Sequence, residues 1–397
     1  MVSTLLPSRI GPLTLLVVIF YFLINLQGIC ASNQQCKEVE FSVSGTAENR
    51  NITTAPLGNV TALALAIKAD KFPRVTISGK QTLVGWYCTP AVVNENNHQL
   101  QVLLGSITTN REAYTALGGT GLYGFPSYEP ELYSWVQYAG SKGYPTLSLD
   151  RLGSGKSSHP DPGVVVQGAY EYALYHDLAQ QIRKGTTGSL DRKYSTLIFV
   201  GNSYGSVTGN NLAARYPDDF DAFVLTGFSK SVLPSLAGVA LQNVMPASTV
   251  WPARFAKLSG AYLTSPHASS RTDSFFGDPK FVDFDPVVAQ LYWAREDVVS
   301  TGQFISTYAD ITRAPAYKGR VLVVTGEQDQ AFCGPGSSKV GKARCGTLLE
   351  ETGSLFPNAE YNFKSIERTG HAIFFHRSVR KTFDIIDQFL DGERLEG

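Results

Sequence analysis

The sequence has no excess of either charge: 34 Lys and Arg stand against 34 Asp and Glu, a formal net charge of +0. That balance excludes the broad electropositive field with which a protein gathers nucleic acid or an anionic membrane surface. No C-x-x-C pair and no cluster of histidines is present, so neither a metal site nor a cofactor is expected. The glycine-rich turn around Gly153 and Gly155 lacks the lysine-threonine pattern of a phosphate-binding loop. Internal repeats and low-complexity segments are also absent. What these absences leave is a neutral or mildly polar small molecule as the partner.

With 43% hydrophobic residues the chain has enough apolar surface for a large core. Its first 31 residues read as an export signal: Arg9 is the positive flank, Leu13 to Ile24 the apolar run, and Gly28-Ile29-Cys30-Ala31 a mostly small-residue end. Asn25, Gln27 and Gly28 interrupt the run well short of the roughly 20 apolar residues of a spanning helix, so cleavage near Ala31 and a secreted protein without stable membrane association are expected. Export agrees with the four cysteines that remain, Cys36, Cys88, Cys333 and Cys345, in a compartment where disulfides persist. Four cysteines allow three pairings; proximity in sequence favours Cys333 with Cys345 and leaves Cys36 with Cys88. Asn51-Ile52-Thr53 and Asn59-Val60-Thr61 are glycosylation sequons, which places Asn51 and Asn59 at the surface.

Val39 to Ser44 and Leu83 to Cys88 read as strands around a short helical pattern at Ala62 to Ala69. From Gln101 apolar runs alternate with helical segments, the pattern of a mostly parallel sheet. The runs are Gln101 to Leu104, Pro145 to Leu149, Thr196 to Val200, Ala222 to Thr226 and Arg320 to Thr325; the helical segments are Glu131 to Gly140, Val165 to Lys184 and Val207 to Tyr216. Between Ser229 and about Tyr317 the alternation stops. That stretch is read as an inserted, mainly helical lid whose many aromatics, including Trp251, Phe255, Tyr262, Phe275, Phe276, Tyr292 and Trp293, face a substrate pocket or fill the lid's own core. The expected organisation is a signal at 1–31, the first part of an α/β core at 32–230, the lid at 231–317 and the second part of the core at 318–397.

The chemistry centres on Gly201-Asn202-Ser203-Tyr204-Gly205. Chance supplies a G-x-S-x-G pattern about 0.3 times in a chain of this composition, so the placement carries the weight. The pentapeptide follows the strand run Thr196 to Val200 and opens the helical segment from Val207, a strand-turn-helix elbow that exposes the serine. Gly201 and Gly205 stand where side chains would collide with a neighbouring strand or helix. A serine hydroxyl needs a base, and that base an orienting acid, which follow the serine in the order acid, then histidine. Asp329, in the loop Gly326-Glu327-Gln328-Asp329 after a strand, is the expected acid, with Glu327 its rival. Of the six histidines only His371 and His376 follow it; His371, in a loop between the probable last strand (Glu360 to Phe363) and the final helix (Ser378 to Leu390), is the expected base, and His376 a packing or capping residue.

With these residues in place the chain resembles the α/β-hydrolase superfamily, in particular the secreted fungal AB-hydrolase-1 type, over roughly Val75 to Leu390. The resemblance also rests on Asp150-Arg151-Leu152-Gly153-Ser154-Gly155-Lys156-Ser157, similar to the family's D-x-x-G-x-G-x-S turn. It implies an α/β-hydrolase fold and hydrolysis of an ester, lactone, thioester or amide. One position departs from the family: its usual His-Gly after the third strand is replaced by Gly105-Ser106, before Ile107. Backbone donation needs no histidine side chain, so the N–H groups of Ile107 and Tyr204 are the expected oxyanion donors. A serine at the elbow, where an aspartate would open epoxides or displace halides, points to acyl chemistry. The expected function is hydrolysis of an ester or lactone of a hydrophobic small molecule; acyl transfer or lysis on the same triad and a catalytically quiet binding protein are the alternatives.

Overall fold

The computed structural model describes residues 34–190, 192–334 and 345–396. The expected signal at 1–31 lies outside them. The chain opens with β1 (Cys36–Arg50), α1 (Val60–Ala69) and β2 (Arg74–Cys88); the two strands pair antiparallel from Cys36 opposite Cys88 to Arg50 opposite Arg74. There follow β3 (Gln99–Leu104), α2 (Trp135–Ser141), β4 (Thr146–Leu149), α3 (Gly168–Lys184), β5 (Thr196–Asn202), α4 (Tyr204–Arg215) and β6 (Ala222–Thr226). After an inserted segment come β10 (Arg320–Gly326), β11 (Glu360–Ile366) and α8 (Val379–Leu390). These strands form one eight-stranded sheet in the order β1-β2-β4-β3-β5-β6-β10-β11. All neighbours from β4 to β11 are parallel; β2 alone runs against them, and β1, antiparallel to β2, closes that edge in the common direction.

β5, β6 and β10 read as continuous apolar runs because helices cover both faces of the sheet, whereas β1 alternates buried and exposed residues as expected of an edge. β1 runs well beyond the span read from the sequence because its far half packs on α3, where a Cβ at Gly45 would lie 3.0 Å from that of Ala173, and β2 extends with it by pairing along its whole length. The expected helix from Glu131 to Gly140 is broken at Ser134, whose extended backbone lets its hydroxyl accept the Gln137 N–H at 3.1 Å and cap α2. α3 begins at Gly168, not Val165. Gln167 is held extended by exchanging hydrogen bonds with the backbone of Arg50, 3.0 Å in one direction and 2.6 Å in the other.

The segment between β6 and β10 holds α5 (Ala268–Phe275), α6 (Pro286–Ala294) and α7 (Thr301–Ala309) among shorter turns of helix. It also carries a feature not anticipated: a small antiparallel sheet of β7 (Met245–Pro246), β8 (Tyr262–Thr264) and β9 (Val299–Ser300). Strands of two or three residues leave no periodic trace in a sequence. Among the described residues no helix is long and apolar enough to cross a membrane.

Candidate active site

Ser203 follows directly on β5 and precedes the first residue of α4, with φ 58° and ψ −114°. A positive φ at a non-glycine residue costs on the order of 1–3 kcal/mol and persists only where its surroundings enforce it. Thr226, the last residue of β6, does so: its carbonyl accepts the Ser203 N–H at 2.9 Å and the Ser206 hydroxyl at 2.7 Å, and its own hydroxyl donates to the Gly201 carbonyl at 2.9 Å. The flanking glycines are dictated by close approach. A Cβ on Gly205 would lie 1.9 Å from the Leu104 carbonyl oxygen, and one on Gly201 2.6 Å from the Gly205 carbonyl carbon.

Asp329 and His371 meet at the carboxyl ends of β10 and β11. His371 Nδ1 lies 2.7 Å from Asp329 Oδ2, while Asp329 Oδ1 accepts the N–H groups of Ala331 at 2.7 Å and Phe332 at 2.9 Å. A carboxylate so placed accepts a hydrogen bond from Nδ1–H and favours the tautomer with its lone pair on Nε2. Nε2 is buried and makes no hydrogen bond, to the Ser203 hydroxyl or to any other described group. The imidazole stacks on Phe332, with ring centres 5.4 Å apart, and meets Phe275 of α5 at 4.8 Å on another side. Elbow and histidine converge at Gly227, next to Thr226, where a Cβ would sit 3.1 Å from the His371 ring. Glu327, the rival acid, uses its backbone to bond Ile366 and makes no contact with His371. His376 is a brace: its Nε2 accepts the Gly370 N–H at 3.1 Å, and burial pulls its pKa down to about 4.

Beyond β3 the chain turns tightly at Ser106 to Thr109, closed by the Thr109 hydroxyl donating to the Ser106 carbonyl at 2.8 Å, with Thr108 at φ 54°. The Ile107 N–H makes no hydrogen bond among the described residues, and the Tyr204 N–H lies ahead of the first intrahelical bond of α4, from the Val207 N–H to the Ser203 carbonyl. The Tyr204 side chain points away from the elbow. Its hydroxyl donates to buried Glu171 at 2.5 Å; Glu171 also accepts from Gln303 at 3.0 Å, and Gln303 accepts from Arg151, which donates to the Thr109 carbonyl at 2.7 Å. Burial raises the pKa of Glu171, and this chain of bonds ties the elbow to the loop after β3. Glu171 and Gln303 do not stand out in the sequence, although a glutamate on the buried face of α3 is a signal.

The Asp150 turn supports the same loop. Asp150 accepts the N–H groups of Arg111 and Lys156, each at 3.0 Å, and burial raises its pKa to about 6 against the opposing pull of Arg111. Of the seven aromatics named above from the inserted segment, Phe275 and Tyr292 reach the site. Tyr262 donates to the Pro160 carbonyl at 2.7 Å, Phe276 packs on His376, Phe255 packs on Tyr123, and Trp251 and Trp293 pack on each other. Two cavities of about 10 Å³ flank Tyr292, each with room for about one water. Ser203 is 2% exposed and His371 1%, so the site is closed.

The disulfides join Cys36 to Cys88, across the ends of β1 and β2, and Cys333 to Cys345, directly after Phe332. Asn59 is exposed and caps α1 by accepting the Ala62 N–H at 2.9 Å; Asn51 is half-buried and accepts the Thr53 hydroxyl at 2.8 Å.

Comparison with known proteins gives a family-model match to the alpha/beta hydrolase family over residues 118–383. The match spans Ser203, Asp329 and His371 and begins after the loop that carries Ile107. No curated protein matches the sequence. Among solved structures, a thermophilic esterase from Thermogutta terrifontis is 14% identical, with 79% of this chain and 94% of that one covered at a TM-score of 0.48. An alpha/beta hydrolase fold protein from Chitinophaga pinensis is 14% identical over 78% and 94% at 0.46, and the enol-lactonase from Burkholderia xenovorans LB400 16% identical over 78% and 96% at 0.44. The family match covers more than half of the sequence, and with the eight-stranded sheet it establishes that this chain belongs to the alpha/beta hydrolase family.

Proposed function

We propose that the chain is a secreted serine hydrolase that cleaves an ester or lactone bond of a small molecule through an acyl-enzyme on Ser203. The observation that carries this reading is the buried Asp329–His371 pair, whose Nε2 has no hydrogen-bond partner and whose ring converges on the strained elbow at Gly227. Ser203 Oγ attacks the acyl carbonyl as His371 Nε2 takes its proton, and the N–H groups of Tyr204 and Ile107 stabilise the oxyanion. Collapse of the tetrahedral adduct breaks the ester bond, and the leaving oxygen takes the proton from His371. Water, deprotonated by the same histidine, then releases the acid and restores Ser203. Phe275, Phe332 and Tyr292 give the acyl group an apolar surround, consistent with a hydrophobic substrate.

In this reading the segment 231–317 is a lid that moves to admit substrate, because Ser203 and His371 are almost fully covered. Export rests on the first 31 residues and agrees with the two disulfides; the secreted fungal subtype rests on the sequence motifs, and Asn51 and Asn59 are its glycosylation sites. The test is labelling with a fluorophosphonate. The wild type is expected to label and Ser203→Ala not to, and a folded wild type that stays unlabelled overturns the proposal.

A further inference from the structure

The roof of the site carries a buried cation whose hydrogen bonds are half made. Arg271, on α5, has a fully buried side chain. Its Nη1 donates to the Thr108 hydroxyl and, at 2.8 Å, to Gln242 Oε1, while Nε and Nη2 make no hydrogen bond of good geometry; the Tyr292 hydroxyl interacts with the guanidinium, which opposes the rise in the tyrosine's pKa that burial causes. The neighbouring carboxylate does not fill that gap: Glu296 Oε2 stands 3.6 Å from Nε, beyond hydrogen-bond reach. Glu296 is held back by its other oxygen, which accepts the Thr264 hydroxyl at 2.6 Å and the Ser265 N–H at 2.7 Å. Gln242 Nε2 is likewise buried without a partner. Buried polar groups are almost always satisfied, so several donors without a partner in one place call for an oxygen to fill them, a water in the resting protein or a ligand oxygen in its place.

That position adjoins the reacting groups. The guanidinium lies 3.9 Å from the centre of the Phe275 ring, which itself packs on His371, and 4.6 Å from that of Tyr292. Thr108, which Arg271 holds, directly follows Ile107. The free groups are mostly donors: Arg271 Nε–H and Nη2–H form a planar fork, and Gln242 adds an amide N–H beside the single acceptor Glu296 Oε2. A fork of this kind matches a carbonyl or carboxylate oxygen.

We infer that Arg271 and Gln242 form an anchor for a second carbonyl-type oxygen on the acyl group, so that the preferred substrates are esters or lactones of oxo acids or half-esters of dicarboxylic acids rather than plain fatty acyl esters. The inference rests on the serine hydrolase reading for the reaction, but the anchor is testable apart from it. Chromogenic esters of matched chain length, plain, oxo-substituted and ending in a carboxylate, are compared on the wild type and on Arg271→Met combined with Glu296→Gln. The double substitution removes both charges and leaves no uncompensated buried carboxylate. The wild type is expected to favour one oxygenated series by about 10–100-fold in kcat/KM over the plain series, and the variant to lose that ratio. Which series wins identifies the oxygen as keto or carboxylate. A wild-type ratio near one, or a folded variant that keeps the preference, overturns the anchor.

Calorimetric binding of the corresponding free acids to Ser203→Ala separates the two readings. Tighter binding of the oxygenated acids by a protein whose wild type hydrolyses no ester supports the anchor and overturns the hydrolase, whereas equal binding of plain and oxygenated acids overturns the anchor whatever the turnover. Should the double variant fail to fold, the wild-type ratio and the Ser203→Ala binding decide the matter.

Discussion

Asp329→Asn is the substitution whose outcome the structure dictates most closely. The Oδ1 atom of Asp329 accepts two N–H groups, from Ala331 at 2.7 Å and Phe332 at 2.9 Å, while Oδ2 faces His371 Nδ1 at 2.7 Å. An asparagine has to keep its carbonyl oxygen on the two N–H groups, since the opposite orientation sets donor against donor. Its amide nitrogen then faces His371 and donates to Nδ1. The ring responds by carrying its proton on Nε2, where the lone pair for Ser203 should be. Loss of the working tautomer costs about 10⁴-fold in kcat, or about 5.5 kcal/mol of barrier, with the fold intact. Asp329→Ala differs in a way that separates the effects: it also strands two buried N–H groups, at about 1–3 kcal/mol each in stability. The assay is turnover of an activated ester with thermal melting, alongside proton NMR for a downfield Nδ1–H resonance present in the wild type and missing from the asparagine variant. A folded Asp329→Asn enzyme within about tenfold of wild-type kcat refutes the orienting role, and Glu327→Gln then becomes the variant to examine.

Three further outcomes follow from the same geometry. Gly205→Ala drives a Cβ to 1.9 Å from the backbone oxygen of Leu104, which has no rotamer to yield, so a loss of about 1–3 kcal/mol or more and of activity is expected; a wild-type melt refutes the close approach of α4 to β3. Cys333→Ser with Cys345→Ser opens a loop of sequence separation 12 behind Asp329 and Phe332, with an expected cost of about 2–3 kcal/mol by chemical denaturation; unchanged midpoints refute it. Burial depresses the pKa of His376 from its ordinary 6.5 to about 4, so the unfolded chain binds a proton that the folded chain refuses between those values. The stability this group contributes is full above pH 6.5 and is lost as pH falls toward 4, by up to about 3 kcal/mol. His376→Gln keeps an acceptor for the Gly370 N–H and does not titrate, so its stability should fall less across that window; parallel losses in the two proteins refute the assignment.

Much of the core was legible because its signals are local. A parallel strand covered on both faces has to be apolar throughout, and β5, β6 and β10 announce themselves for that reason. The elbow is legible because a turn this tight admits only glycine at Gly201 and Gly205, whose missing side chains are the space that the neighbouring backbone occupies. The helix boundaries were less so. Whether Gln167 continues a helix or stays extended is decided by Arg50, 117 residues away in sequence, and no window of residues around Gln167 contains that information.

The same distinction runs through the site. Asp329 and His371 are singled out by order and by their place after strands, and the structure brings them together; the packing of the His371 ring on Phe332 and Phe275 is not legible in this way, because Phe275 comes from the inserted segment. The seven aromatics named there had equal claims on the pocket; which two reach it depends on how α5 and α6 pack on each other and on the core, which no local pattern encodes. Arg271 was invisible for the same reason, as its partner Thr108 lies 163 residues away. Arg271 is paired with Glu296 at 3.6 Å, yet Nε and Nη2 lack well-formed hydrogen bonds that would offset its burial. In the proposed reading a lid that opens for substrate and closes again on a second acyl oxygen would complete those bonds, and a substrate without that oxygen would pull it shut less firmly.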